Sequence, residues 1–235
     1  MLALLSAYIP AYGKFDTEHP VHHQFNAELL KPGEKQISLM ANFKIGISPT
    51  LELGTQAFFL SLSNTPNVSI KHHMFDRESV KTTFSSHSFF LSEDAFNIFG
   101  SLHGVTSTFY SILPDTNFNV GFYDLFLKLN GEDNLEGEVH NFSVLVGQDV
   151  YLSSNWVMTG FIFIPFISTV ELVSNFADVE AIFEYYRGMK FEEGYPIFLF
   201  ASLTRSWEVF NMELGTYYFN PNKIFSPYIN MFWRF

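Results

Sequence analysis

The chain has 235 residues, 47% of them hydrophobic and 18% aromatic, with no Cys and a net charge of −11 from 13 Lys+Arg against 24 Asp+Glu. That length makes one domain, or two small ones. Only 16% of the residues are charged, too few to coat a water-facing surface on which ordinary soluble domains use roughly 25%, and the same arithmetic excludes disorder. An acidic balance without a Lys/Arg cluster excludes phosphate-driven binding of nucleic acid, and the absence of Cys removes disulfides, thiolate zinc sites and thiol nucleophiles together.

Residues 2–9 form a short apolar run, followed by Pro10 and the small-x-small triplet Ala11-Tyr12-Gly13. This is the pattern of a secretory signal, so residues 1–13 read as a signal-peptide remnant, although its positively charged start is missing. A buried amino-terminal strand is the alternative. Residues 14–35 contain His19, His22 and His23 and show neither helical nor strand period; they read as a solvated polar leader on the periplasmic side.

From Gln36 the period becomes two: Ile37, Leu39, Ala41, Phe43, Ile45 and Ile47 alternate with mostly polar neighbours, one face apolar and one polar. Short runs rich in Phe, Val, Ile, Thr and Tyr then recur to the last residue. They are separated by turn formers such as Ser48-Pro49-Thr50, Asp76-Arg77-Glu78, Pro114-Asp115 and Asn220-Pro221-Asn222. The predicted strands are 36–47, 51–62, 67–75, 79–90, 95–111, 117–130, 137–148, 155–170, 179–189, 195–206, 208–219 and 226–235. The chain is all-β, with about twelve strands and ten as the alternative count. Val157–Val173 is nearly continuous in apolar content, but Gly160, Pro165 and a Phe/Ile bias favour a long strand over a membrane helix. Ten-residue strands with one apolar face suit either a soluble sandwich or a barrel that turns that face to lipid.

The chain ends Ser226-Pro-Tyr-Ile-Asn-Met-Phe-Trp-Arg-Phe235, with Ile229, Met231, Trp233 and Phe235 on one strand face and Tyr228, Asn230 and Arg234 on the other. This resembles the closing-strand signal of bacterial outer-membrane β-barrel proteins, which end in an aromatic residue preceded by alternating apolar positions. The resemblance implies a closed antiparallel transmembrane β-barrel over residues 36–235 in the outer membrane of a Gram-negative bacterium. It also implies insertion by the outer-membrane assembly machinery and contact with outer-membrane lipids and lipopolysaccharide. A second stretch, Glu28-Leu-Leu-Lys-Pro-Gly-Glu34, Gly46-Ile-Ser-Pro-Thr-Leu-Glu-Leu-Gly-Thr55 and Pro66-Asn-Val-Ser-Ile-Lys71, is similar to the opening of a broad set of such barrels of unassigned role.

Alternation then places apolar residues such as Ile37, Val68, Ile70, Leu125, Leu127, Val144, Val146, Leu199 and Leu203 toward lipid. Lys44, Lys71, Lys81, Asp124, Lys128, Glu180, Glu184 and Glu213 fall toward the lumen. The early wall is basic and the late wall acidic. A barrel of this size lies between a side-chain-filled interior and an aqueous channel, so the expected function is a narrow pore for small polar solutes. A lipid or lipopolysaccharide hydrolase is the first alternative. Ser85 with His87, and Ser101 with His103, each place a hydroxyl two residues from an imidazole on one strand face. The order is Ser-x-His, not the His-x-Ser followed by Asn-Gly of outer-membrane phospholipase A. A plugged structural or adhesive barrel is the second alternative, weakened by the short connections expected between strands. His22-His23 and His72-His73 cannot chelate as units on a strand, where neighbours point to opposite faces; no metal or cofactor is expected.

Overall fold

The computed structural model describes residues 23, 25–38, 42–56, 66–92, 96–113, 115–131, 136–173, 197–207, 209–219 and 224–235. Twelve strands form one up-and-down meander: β1 (Lys35–Ser38), β2 (Asn42–Ser48), β3 (Leu51–Gln56), β4 (Asn67–Arg77), β5 (Val80–Ser92), β6 (Phe96–Leu113), β7 (Thr116–Gly131), β8 (Glu136–Ser153), β9 (Trp156–Val173), β10 (Phe198–Trp207), β11 (Phe210–Phe219) and β12 (Ile224–Arg234). Each pairs antiparallel with its chain neighbours, and β1 pairs with β12 through Gln36↔Arg234, Ile37↔Trp233 and Ser38↔Phe232, so the barrel is closed and has no free edge.

Twelve is the expected count, reached by a different division of the chain. The predicted strand 36–47 is two strands, β1 and β2, in register Lys35↔Ile45 and Gln36↔Lys44. The intervening Leu39-Met40-Ala41 carries no Gly, Pro or Asn to signal a turn. The predicted strand 179–189 lies outside the described residues, and β9 pairs directly with β10 through Phe163↔Phe198 and Phe161↔Phe200. The apolar run from Val157 is strand β9.

The two rims differ. At the rim where β1 begins and β12 ends, β2–β3, β4–β5, β6–β7, β8–β9 and β10–β11 are each joined by two residues, as in the short turns of one barrel face. One of these, Asp115, takes φ 53°, a left-handed turn conformation that Asp tolerates. At the other rim β9 and β10 are joined by residues 174–197, so the expectation of uniformly short connections does not hold there. Among the described residues the wall is also uneven: β6, β8 and β9 have 18 residues each, whereas β1 has 4 and β3 has 6.

Alternation assigns the faces. Ile37, Val68, Ile70, Phe84, Val105, Phe122, Val146, Ile162, Leu203, Leu214 and Ile229 stand exposed on the outside. Lys44, Glu52, Lys71, Thr83, Thr106, Thr108, Asn119, Asp149, Thr159, Ser202, Asn230 and Arg234 are buried within. A water-soluble domain has the reverse distribution, whereas an apolar exterior around a polar interior is compatible with a membrane barrel.

Candidate functional site

The interior is not empty. Residues 25–34 enter it from the rim where β1 begins, and Asn26, Ala27, Glu28, Leu30 and Glu34 are buried there. This part of the expected solvated leader is therefore a strap packed against the inner wall. Its entry is set by Lys31-Pro32-Gly33, where Gly33 takes φ 83°, a conformation that suits glycine. The Glu34 N–H donates to the Lys31 carbonyl at 2.9 Å and the Gly33 N–H to the Gly46 carbonyl at 2.8 Å. A side chain at Gly46 would collide with the strap, since its Cβ would lie 2.1 Å from the Lys31 carbonyl oxygen.

Beyond that turn, polar groups of the wall satisfy the strap backbone, as buried peptide groups require. The Leu30 N–H donates to Glu52 Oε2 at 3.1 Å and the Ala27 N–H to Thr108 Oγ1 at 2.7 Å. Lys71 Nζ donates to the carbonyls of Glu28 at 2.7 Å and His23 at 3.1 Å, while His73 Nε2 lies 2.9 Å from the Ala27 carbonyl. The Glu28 carboxylate takes Lys81 Nζ at 3.1 Å and the Tyr110 hydroxyl, and Glu34 takes the Arg234 guanidinium. At the far end His23 Nε2 meets Asp149 at 3.0 Å. Asp149 also accepts from Asn119 at 2.9 Å and Thr159 at 2.8 Å, so this buried carboxylate is fully coordinated by the wall and the strap.

Above this polar layer Phe25 projects into an aromatic one. Its ring lies 4.9 Å from Phe161 and from Phe163 and 5.6 Å from Tyr123, each edge-on, the preferred geometry for such pairs. Tyr123, Leu145, Phe161 and Phe200 are buried together, with Tyr217 and Tyr228 packed against them. Inward-facing Gly104 makes room: a Cβ there would fall 2.3 Å from the Tyr123 ring.

The residues expected in the lumen divide into three groups. Lys44, Lys71, Lys81 and Glu213 do face inward. Lys44 pairs with Glu52 at 3.5 Å, Lys81 with the strap, and Glu213 accepts from Ser202 at 2.7 Å, so Lys44 and Lys81 are neutralised by a wall neighbour and by the strap. Asp124 and Lys128 are corrected to the outside: their register partners are His103 and Phe99, and the inward residues of β7 are Tyr123, Leu125, Leu127 and Leu129. Leu125 and Leu127, expected toward lipid, therefore point in. Both faces of this run carry apolar residues, Leu125, Leu127 and Leu129 inward and Phe126 outward, so charge does not mark its inner face. Glu180 and Glu184 lie outside the described residues.

Ser85 and His87 are buried in the interior, whereas the register turns Ser101 and His103 to the outer side, Ser101 covered by its neighbours and His103 stacked on Phe84. Among the described residues no carboxylate orients His87, whose Nδ1 is buried without a hydrogen-bond partner; a base held by a third group is what a triad requires. Ile229, Met231, Trp233 and Phe235 end the closing strand, with Tyr228, Asn230 and Arg234 turned inward. Among the described residues no cluster of His, Asp and Glu could hold a metal ion. Glu28, Glu34, Glu52, Asn119 and Asp149 were missed by the sequence reading. The available signal was the aperiodic stretch ending in Lys-Pro-Gly, which cannot be told from a solvated leader without its partners.

No protein-family model matches the chain, and no curated protein matches it. Among solved structures, a chain from work on the in-meso crystallization of membrane proteins is similar at 9% identity and a TM-score of 0.38, covering 86% of this chain and 83% of that one.

Proposed function

We propose that the protein is a bacterial outer-membrane β-barrel that acts as a closed conduit, passing small polar solutes only when the strap of residues 23–34 leaves the lumen. The membrane reading rests on the apolar exterior and polar interior and on the two-residue turns at one rim. Its surroundings would then be phospholipid and lipopolysaccharide, and the aromatic end of β12 would address it to the assembly machinery. The observation that carries the closed state is the strap itself, buried and held by Lys71, Glu52 and Thr108. What favours release over permanent plugging is chemistry: every tie is a hydrogen bond, an ion pair or an aromatic contact, and none is covalent.

Conductance in a planar lipid bilayer tests this. The intact protein should hold the membrane closed most of the time, and Phe25→Ala, which removes three edge-on aromatic contacts, should raise the frequency of discrete open steps. Continuous full conductance by the intact chain would mean an open pore and overturn the closed reading. Silence in both proteins, with the barrel demonstrably folded, would instead leave a structural barrel.

A further inference from the structure

Outside the barrel, the register aligns small residues across neighbouring strands. Gly160 on β9 faces Ala201 on β10, and Ala201 faces Thr216 on β11. Alongside them runs a ridge of large side chains, Ile162, Leu199 and Tyr218, also in register. The result is a trough of about 500 Å³ in the outer wall, of the size that holds an extended apolar ligand. Its floor is open, because a Cβ on Gly160 would meet nothing closer than the Phe200 carbonyl at 3.8 Å. Strands in such barrels tilt by about 35–45°, so a trough perpendicular to them crosses the apolar belt obliquely, as a tilted acyl chain does.

Four residues along β10 from Ala201, on the same face and nearer the two-residue turns, stands Arg205. The separation is about 13 Å at strand rise. Its guanidinium lies over the rings of Trp156 at 5.1 Å and Trp207 at 4.5 Å. Among the described residues no carboxylate pairs with it. Two indoles fix the plane of the guanidinium and leave its N–H edge for a planar or tetrahedral oxyanion, for which Arg is the preferred partner. Trp at this level also marks a membrane–water interface.

We propose that this wall binds one glycerophospholipid, its phosphate on Arg205 between Trp156 and Trp207 and one acyl chain in the trough over Gly160 and Ala201. The site rests on the membrane reading above. Charge complementarity selects a phosphate-bearing lipid. The position at the rim with the short turns selects the periplasmic leaflet, hence phospholipid over lipopolysaccharide.

Native mass spectrometry of the full chain refolded in detergent micelles containing dioleoylphosphatidylglycerol should find one lipid retained per barrel. Arg205→Gln removes the cation and Gly160→Leu fills the trough; each should lower retention at least tenfold, with Arg205→Lys keeping most of it. Should Gly160→Leu fail to fold, Ala201→Leu fills the same trough from the next strand. Equal retention by wild type and both variants, no retention by a barrel that shows the heat-dependent gel shift of a folded membrane barrel, or a dimer in place of the lipid adduct would each overturn the lipid site alone. A chain that stays soluble without detergent and shows no such shift would overturn the membrane reading and the lipid site with it.

Discussion

A methyl group at Gly46 should release the strap while leaving the barrel wall in place. Gly46 faces inward from β2, and its N–H and carbonyl are both bound to the strap, donating to Glu34 O at 2.9 Å and accepting from Gly33 N at 2.8 Å. An alanine Cβ would fall 2.1 Å from Lys31 O and 2.5 Å from Leu30 O. These are backbone atoms that cannot rotate aside, so the strap must lift. Overpacking of this kind costs about 1–3 kcal/mol, which corresponds to an increase of about 5- to 150-fold in the released fraction. Because the chain has no Cys, Leu30→Cys places a single thiol at a fully buried point of the strap, and its rate of reaction with a membrane-impermeant maleimide reports release. Gly46→Ala in that background should raise the rate within the stated range, with the gel shift of the folded barrel retained. An unchanged rate would mean that the strap does not seat on Gly46, and would refute the reasoning from its collision geometry.

The same thiol reads other ties. Lys71→Met strips hydrogen bonds from two buried strap carbonyls, each worth about 1–3 kcal/mol, and should accelerate labelling at least tenfold; no acceleration would remove Lys71 from the latch. Asp149→Ala leaves His23, Asn119 and Thr159 without their acceptor and should lower resistance to urea by about 3–5 kcal/mol, the usual cost of breaking a buried pair. Gly104→Ala drives a Cβ to 2.3 Å from the Tyr123 ring, whereas Gly160→Ala meets nothing within 3.8 Å. The first should lose about 1–3 kcal/mol in urea unfolding and the second almost nothing.

Alternation made the barrel legible because a two-residue period survives wherever one face meets an apolar medium. The closing strand is the clearest case: Ile229, Met231 and Trp233 lie outside and Asn230 and Arg234 inside, as their spacing in the sequence requires. In β7 the run Tyr123-Asp-Leu-Phe-Leu-Lys-Leu129 has apolar residues on both faces. Charge was then the tiebreaker, and it pointed the wrong way: Asp124 and Lys128 share the outer face with Phe126. Aromatic residues divide between the faces in a way no period marks: Tyr110, Tyr123, Tyr151, Tyr217 and Tyr228 point inward, while Trp156, Trp207 and Tyr218 lie outside. The strap was illegible for a different reason: its burial comes from partners on nine strands, as far away as Arg234, and its own residues carry no period.

The unequal wall bears on how the barrel comes apart. Among the described residues β1 meets β12 over Lys35–Ser38, while β8 and β9 are paired along almost their whole lengths. Resistance to rupture therefore concentrates on one side, and the seam between the first and last strands is where force or heat should begin to unzip the cylinder. At that seam Lys35 and Phe235 exchange both backbone hydrogen bonds, at 2.7 and 2.9 Å, and the Glu34–Arg234 ion pair spans it from within. These few groups act as a clasp on a short joint, and the lifetime of the closed cylinder should depend on them far more than their number suggests.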